Sequence, residues 1–170
     1  LTLAANQNNY NAMQHLALIY LLGNYVKQNV NKALYYLNIS AKYDSDSQHI
    51  LGVIYYQGKF VQRDVNKALY CFNLSAKHNN LHSLFCIGYI YYEGIYVPRD
   101  VNLAIKCFSQ SKSSKSYYYL GYIYYEGKYV PQDINKAIYF LTLSSEQNNS
   151  DAQYLLGQIY YRRDDIAKAF

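Results

Sequence analysis

Tryptophan is absent from the 170 residues, methionine occurs once and proline twice. Cysteine is scarce too: Cys71, Cys86 and Cys107 are an odd number with no CxxC spacing. That excludes a disulfide framework and a zinc site built on paired cysteines. Their neighbours are apolar, as in Tyr70-Cys71-Phe72, so they read as reduced thiols acting as small hydrophobes. Reduced thiols point to a reducing compartment, hence a cytoplasmic location. No apolar run is long enough to cross a bilayer, and no secretory layout opens the chain. A membrane is therefore not among the expected partners. Charged residues make up only 16%, but hydrophobic ones reach 51%, which excludes simple disorder. The formal net charge is +5, and the signs are interspersed: Lys59 and Arg63 precede Asp64, and Arg99 precedes Asp100. A nucleic-acid binder usually shows a stripe of one sign, and none is visible, so nucleic acid is disfavoured. The one excess is tyrosine, 24 against six phenylalanines.

Repetition explains the tyrosines. LGVIYYQG from Leu51, IGYIYYEG from Ile87, LGYIYYEG from Leu120 and LGQIYYRR from Leu156 are copies of one pattern. Their first glycines stand at 52, 88, 121 and 157, spacings of 36, 33 and 36. LALIYLLG, with Ala17 at the glycine position, is a weaker fifth copy. A second motif keeps step: NKAL from Asn31 and Asn66, NLAI from Asn102, NKAI from Asn135 and AKAF from Ala167. Two signals holding one period mark a repeat array. Residues 1–9, LTLAANQNN, match residues 141–149, LTLSSEQNN, so the chain is expected to be part of a longer array. The expected organisation is one array over 1–170: a tail of a preceding unit at 1–10, units at 11–45, 46–81, 82–114 and 115–149, and a partial unit at 150–170.

Each unit carries two helical patterns. Helix A is expected over 11–22, 47–58, 83–94, 116–127 and 151–162, opening on a small residue (Ala12, Ser47, Ser83, Ser116 or Ala152). A glycine five residues later lets a neighbouring helix come close. Gly23, Gly58, Gly94 and Gly127 end helix A, where glycine takes the left-handed conformation without strain. A short link follows and holds both prolines, Pro98 and Pro131. Asn29, Asp64, Asp100 and Asp133 then cap helix B, expected over 30–43, 65–78, 101–112 and 134–147. Recurrence at one helix start favours capping over metal or acid–base chemistry for these aspartates. The expected fold is all-α, a right-handed α-solenoid of stacked antiparallel helix pairs.

The pattern small-xxx-LGxxYxxG, a short loop, D-xx-KA and a paired small residue resembles the Sel-1-like repeat, a relative of the tetratricopeptide repeat. It covers essentially the whole chain. Departures are Ala17 for the first glycine, Leu103 for the lysine, and Cys71 and Cys107 where the family often has an aromatic. In the last unit Arg163 replaces the helix-ending glycine, and the loop is read as shortened. The resemblance implies a non-catalytic scaffold that binds a protein or peptide, often beside a signalling, kinase or quality-control component. Cysteine-rich secreted members, for some of which penicillin binding has been proposed, have paired cysteines in each repeat that this chain lacks.

No catalytic, cofactor or metal motif survives inspection. In GYIYYEGK from Gly121 five residues separate the glycines rather than four, and Tyr129 stands in place of Ser or Thr. His78 and His82 are separated by an Asn-Asn turn, and His15 and His49 have no ligand partner at a known spacing. The sequons at Asn38 and Asn73 lie inside helix B with Ser40 and Ser75 toward the core. What remains is a binding face. Helix A lines the concave surface of such arrays, and positions 0, +4 and +7 share a side. They give His49, Val53 and Tyr56; Phe85, Tyr89 and Tyr92; Tyr118, Tyr122 and Tyr125; and Tyr154, Gln158 and Tyr161. Glu93 and Glu126 stand beside the row, placed to receive a basic ligand segment. Tyr55, Tyr91, Tyr124 and Tyr160 fall on the other side and are expected to pack between helices. A monomeric protein-binding array is the leading reading. A regulatory segment of a larger signalling enzyme such as a protein kinase, and a single-stranded RNA binder, are the alternatives.

Overall fold

The computed structural model describes residues 9–169, with side chains through Arg162. Nine helices and no strand occur among them. They are α1 (Tyr10–Leu22), α2 (Val30–Ser40), α3 (Ser45–Gln57), α4 (Val65–Lys77), α5 (Leu81–Glu93), α6 (Val101–Ser111), α7 (Ser114–Glu126), α8 (Ile134–Glu146) and α9 (Ser150–Ala169). Odd-numbered helices are helix A and even-numbered ones helix B. The fold is an all-α solenoid of repeated helix pairs. The chain divides into two compact units, Leu1–Ser83 and Leu84–Phe170, with the division inside α5.

The helix starts differ from the sequence expectation in one respect. Helix A begins two residues before the small residue in α3, α5 and α7. The caps are Asn9, Asp44 and Ser113, whose side chains accept from the backbone N–H of Ala12, Ser47 and Ser116. Asn80 and Asn149 do the same for Ser83 and Ala152. The Asn-rich turns therefore start the next unit as well as closing the last one. The small residue is the third helical position, where the capped N–H must be. Asp44 also accepts from the Ser47 hydroxyl. Asp44→Ala is expected to cost about 1–2 kcal/mol in urea unfolding, the usual range for a lost N-cap. Helix B starts where expected, with Asn29, Asp64, Asp100 and Asp133 each accepting at 2.9 Å from the N–H three residues on.

The helix A to helix B link repeats one geometry. Gly23, Gly58, Gly94 and Gly127 have φ between +64° and +72°. The residue five on folds back over each: a Cβ at Gly58 would lie 2.8 Å from Arg63 Cβ, and one at Gly127 2.6 Å from Gln132 Cβ. Gln28, Arg63, Arg99 and Gln132 then donate to carbonyls at the end of helix A, those of Leu21, Gln57, Glu93 and Tyr125. Such bonds satisfy acceptors that a helix end leaves open. The next backbone N–H closes the loop on Tyr20, Tyr55, Tyr91 or Tyr124, as in Asp64 N–H to Tyr55 O at 3.0 Å. At α9 the pattern is broken. Arg163 replaces the glycine, and the helix runs on to Ala169 where a shortened loop was expected.

In the first unit Ala17, Leu21, Ala33, Leu37, Leu51 and Ile54 form the main core, with Ala12, Met13 and Leu16 beyond it. In the second, Ala104, Phe108, Leu120 and Ile123 form one cluster and Leu141, Ala152, Leu155 and Ile159 another. Burying such side chains supplies roughly 1.5–3 kcal/mol each before chain entropy is subtracted. The small residues are polar but satisfied. Ser40 donates to Ser47 at 2.8 Å, and Ser75 and Ser144 donate at 2.7 Å to the carbonyls of Ser45 and Ser114. Ser40 and Ser75 are fully buried, as the reading of the two sequons required.

Candidate interaction face

The 0, +4, +7 positions of helix A do share a side. Phe85 stacks on Tyr89 and Tyr118 on Tyr122, with ring centroids 6.1 Å apart in both pairs. In the second unit this row also packs one repeat on the next. Phe85, Tyr89 and Tyr92 of α5 meet Tyr119 of α7 at 5.9, 5.5 and 5.6 Å. Tyr118, Tyr122 and Tyr125 of α7 pack against the cluster that includes Leu155 and Ile159 of α9. All six side chains are half-buried. Their counterparts on α9, Tyr154 and Tyr161, are 70% and 71% exposed. A tyrosine of this row is thus open on its own helix and closes when another helix A lies beside it. In the first unit Tyr56 is half-buried at the corresponding place on α3.

The first tyrosine of each pair behaves as expected in three of four copies. Tyr55 and Tyr91 pack on the buried clusters, and Tyr124 stacks on Phe140 at 6.0 Å. Lys67 and Lys136, held by Asp64 and Asp133 at 3.2 Å, reach over the Tyr55 and Tyr124 rings. Tyr160 differs and is 48% exposed. No helix B residue among the described side chains follows it.

The two glutamates stand beside the row, Glu93 one helical turn from Tyr89 and Glu126 one turn from Tyr122. Glu93 is half-buried and Glu126 exposed. Burial first, then the neighbouring carboxylates, raises the phenol pKa of Tyr89 and Tyr122. Tyr92 is pushed up to about 12, chiefly by burial. These hydroxyls stay protonated.

Sequence reasoning missed Tyr119, Lys115, Asn149 and Asp151. With Phe85, Tyr89 and Tyr118 they line a recess of about 320 Å³. Tyr119 stands where other repeats carry Ile50, Cys86 and Leu155, so one aromatic replaces a smaller packing residue there. The triplet Tyr117-Tyr118-Tyr119 was the available signal.

The first unit has its own side-chain cluster. His49 Nδ1 lies 2.8 Å from the buried Ser83 hydroxyl, and its ring is 6.1 Å from that of His82. Burial and then His82 lower the His49 pKa, while Asp46, which accepts from Asn80, raises it. A depressed imidazole pKa stabilises the fold above the unfolded value of 6.5. That contribution is lost as pH falls through the folded value. Melting of the first unit is therefore expected to drop between pH 7.5 and 5 by more than melting of His49→Gln does. Equal slopes would show that His49 is not the group responsible.

The three cysteines carry no bonds to one another. Cys107 is buried, whereas Cys71 and Cys86 are only half-buried. Burial pushes the Cys86 thiol up to about 11, so it is a poor nucleophile. No group of three metal-ligating side chains occurs among the described residues. No helix among them is long and apolar enough to cross a membrane.

The repeat register decides the relationship. The Sel1 repeat model matches residues 11–42, 45–80, 83–113, 114–149 and 150–170. The chain belongs to the Sel1 repeat family. A Sel1 repeat protein from Oxalobacter formigenes is similar over 90% of this chain, with 26% identity and a TM-score of 0.82. The protective antigen c5321 of uropathogenic Escherichia coli, which displays an SLR fold, is similar over 94%, with 30% identity and a TM-score of 0.84. The chain spans 64% and 35% of the lengths of those two proteins. No curated protein sequence matches it. Sel1 repeat proteins are generally non-catalytic scaffolds for protein interaction.

Proposed function

We propose that this Sel1 repeat chain is a non-catalytic scaffold that binds a protein or peptide on the tyrosine-bearing face of helix A. The observation that carries this is the row itself. Phe85, Tyr89, Tyr92, Tyr118, Tyr122 and Tyr125 are half-buried, so each is held by packing and still leaves part of its surface to solvent. Rigid tyrosines give large contact area at small entropy cost, and such residues dominate binding energy at interfaces. Tyr154 and Tyr161 continue the row on α9, and Tyr56 holds the equivalent place in the first unit. Glu93 and Glu126 add negative charge beside it. The free thiols support a reducing, cytoplasmic setting.

Tyr154 and Tyr161 allow a test without damage to the core. Changing both to Ala is expected to weaken partner binding at least tenfold, with helicity and melting unchanged. Tyr35 and Tyr139, 63% and 60% exposed on helix B, are the controls. Tyr35→Ala and Tyr139→Ala should leave affinity unchanged. The reverse pattern would move the binding face to helix B.

A further inference from the structure

We infer that the recess between α5, α7 and the start of α9 is a socket for a guanidinium group, receiving an arginine side chain of the bound partner. The inference rests on the helix A reading above and specifies the partner chemistry at one place in it. Four aromatic rings line the recess: Phe85, Tyr89, Tyr118 and Tyr119. Aromatic faces carry negative quadrupole charge and attract a cation within about 6 Å of the ring centre, arginine more often than lysine. Glu93 reinforces this, because its negative charge acts on both Tyr89 and Tyr119. Asp151 lines the mouth of the same recess and is exposed. It offers the two-oxygen acceptor that a guanidinium fork matches.

Lys115 is the opposing charge, also exposed at the rim. Among the described residues no direct ion pair joins Lys115 to Asp151, unlike Lys67–Asp64 and Lys136–Asp133. The socket thus holds an acidic and a basic arm around an aromatic floor, which makes the sign of the ligand testable. The aromatic rings and the Glu93 charge favour the cation. The same chain already shows the contact elsewhere: the Arg99 guanidinium stacks 4.6 Å over the Tyr129 ring while donating to its hydroxyl.

The probes are N-acetyl-arginine methylamide, its uncharged isostere N-acetyl-citrulline methylamide, and N-acetyl-glutamate methylamide. Binding is read from tyrosine ring resonances of the whole chain. The arginine probe should shift the Tyr89, Tyr118 and Tyr119 signals and bind at least fivefold more tightly than citrulline. Asp151→Asn should weaken it severalfold, and Lys115→Ala should strengthen it. Equal binding of arginine and citrulline, tighter binding of glutamate, or no shift with any probe overturns the socket. Those results leave the Tyr154 and Tyr161 test untouched. Failure of that test with the arginine result intact would instead make the socket a site separate from the scaffold face.

Discussion

Phe108→Ala is expected to be the most damaging single change in the second unit, costing about 3–5 kcal/mol. Phe108 is fully buried, and its ring stacks on Tyr119 at 5.4 Å and lies 5.8 Å from Phe85. Truncation leaves a cavity under the rings that carry the binding row, and Gly88, whose added Cβ would already come within 2.9 Å of the Phe108 ring, has no side chain to fill it. Thermal melting should fall on the order of 10 °C for a chain of this size. Phe72 holds the same place in the first unit, fully buried against Gly52. Phe72→Ala should produce a comparable loss there while Tyr119 ring signals stay native. A loss below 1 kcal/mol for Phe108→Ala would mean that the surrounding aromatics collapse into the space. The arginine socket should then vanish although the fold survives.

The second large effect is a difference of sign at one repeat position. Gly121 and Gly157 occupy the same place in successive copies of helix A. At Gly121 an added Cβ would lie 2.6 Å from Leu141 Cγ and 3.1 Å from the Ala137 carbonyl oxygen. Neither is the free end of a flexible chain, so α7 and α8 must move apart. Overpacking of that kind costs roughly 1–3 kcal/mol, which exceeds the gain of about 1 kcal/mol in helix propensity. Gly121→Ala should therefore destabilise. At Gly157 nothing among the described residues lies within 4 Å of an added Cβ. Gly157→Ala should stabilise α9 by about 0.5–1 kcal/mol, since only the backbone entropy of glycine is removed. Urea unfolding of the two variants checks both signs. If Gly157→Ala also destabilises, a further helix packs on α9 in solution at that position.

The contrast shows how glycine was legible and where it was not. The period places a glycine in four of the five copies of helix A, and close helix approach is the correct reason in three of them. Only the structure shows that Gly157 has no neighbour among the described residues. The caps show the same division. Asp64, Asp100 and Asp133 were readable because an N-cap is a local bond between a side chain and a backbone N–H three residues away. Asn80 and Asn149 obey the same local rule, but a helix expected to open on the small residue after them hides it.

The binding row divides along the same line. Helical spacing alone puts Phe85, Tyr89 and Tyr92 on one side, and the stacked rings agree. Spacing cannot say how much of that side a second helix covers. Tyr119 lies on another helix, 27 residues from Tyr92, and only packing brings it against the row.

For this Sel1 repeat chain, the sequence by itself determined the period, the helix pairs, the left-handed glycines, most of the caps and the family. These depend on contacts within a few residues, or on patterns that local sterics and hydrogen bonding impose. The tertiary structure alone decided which tyrosines are half-closed and which are open. It also set Phe85, Tyr89, Tyr118 and Tyr119 around one recess with Lys115 and Asp151 at its edge. Those facts depend on how one helix A lies against the next, a distance in space that no spacing along the chain encodes.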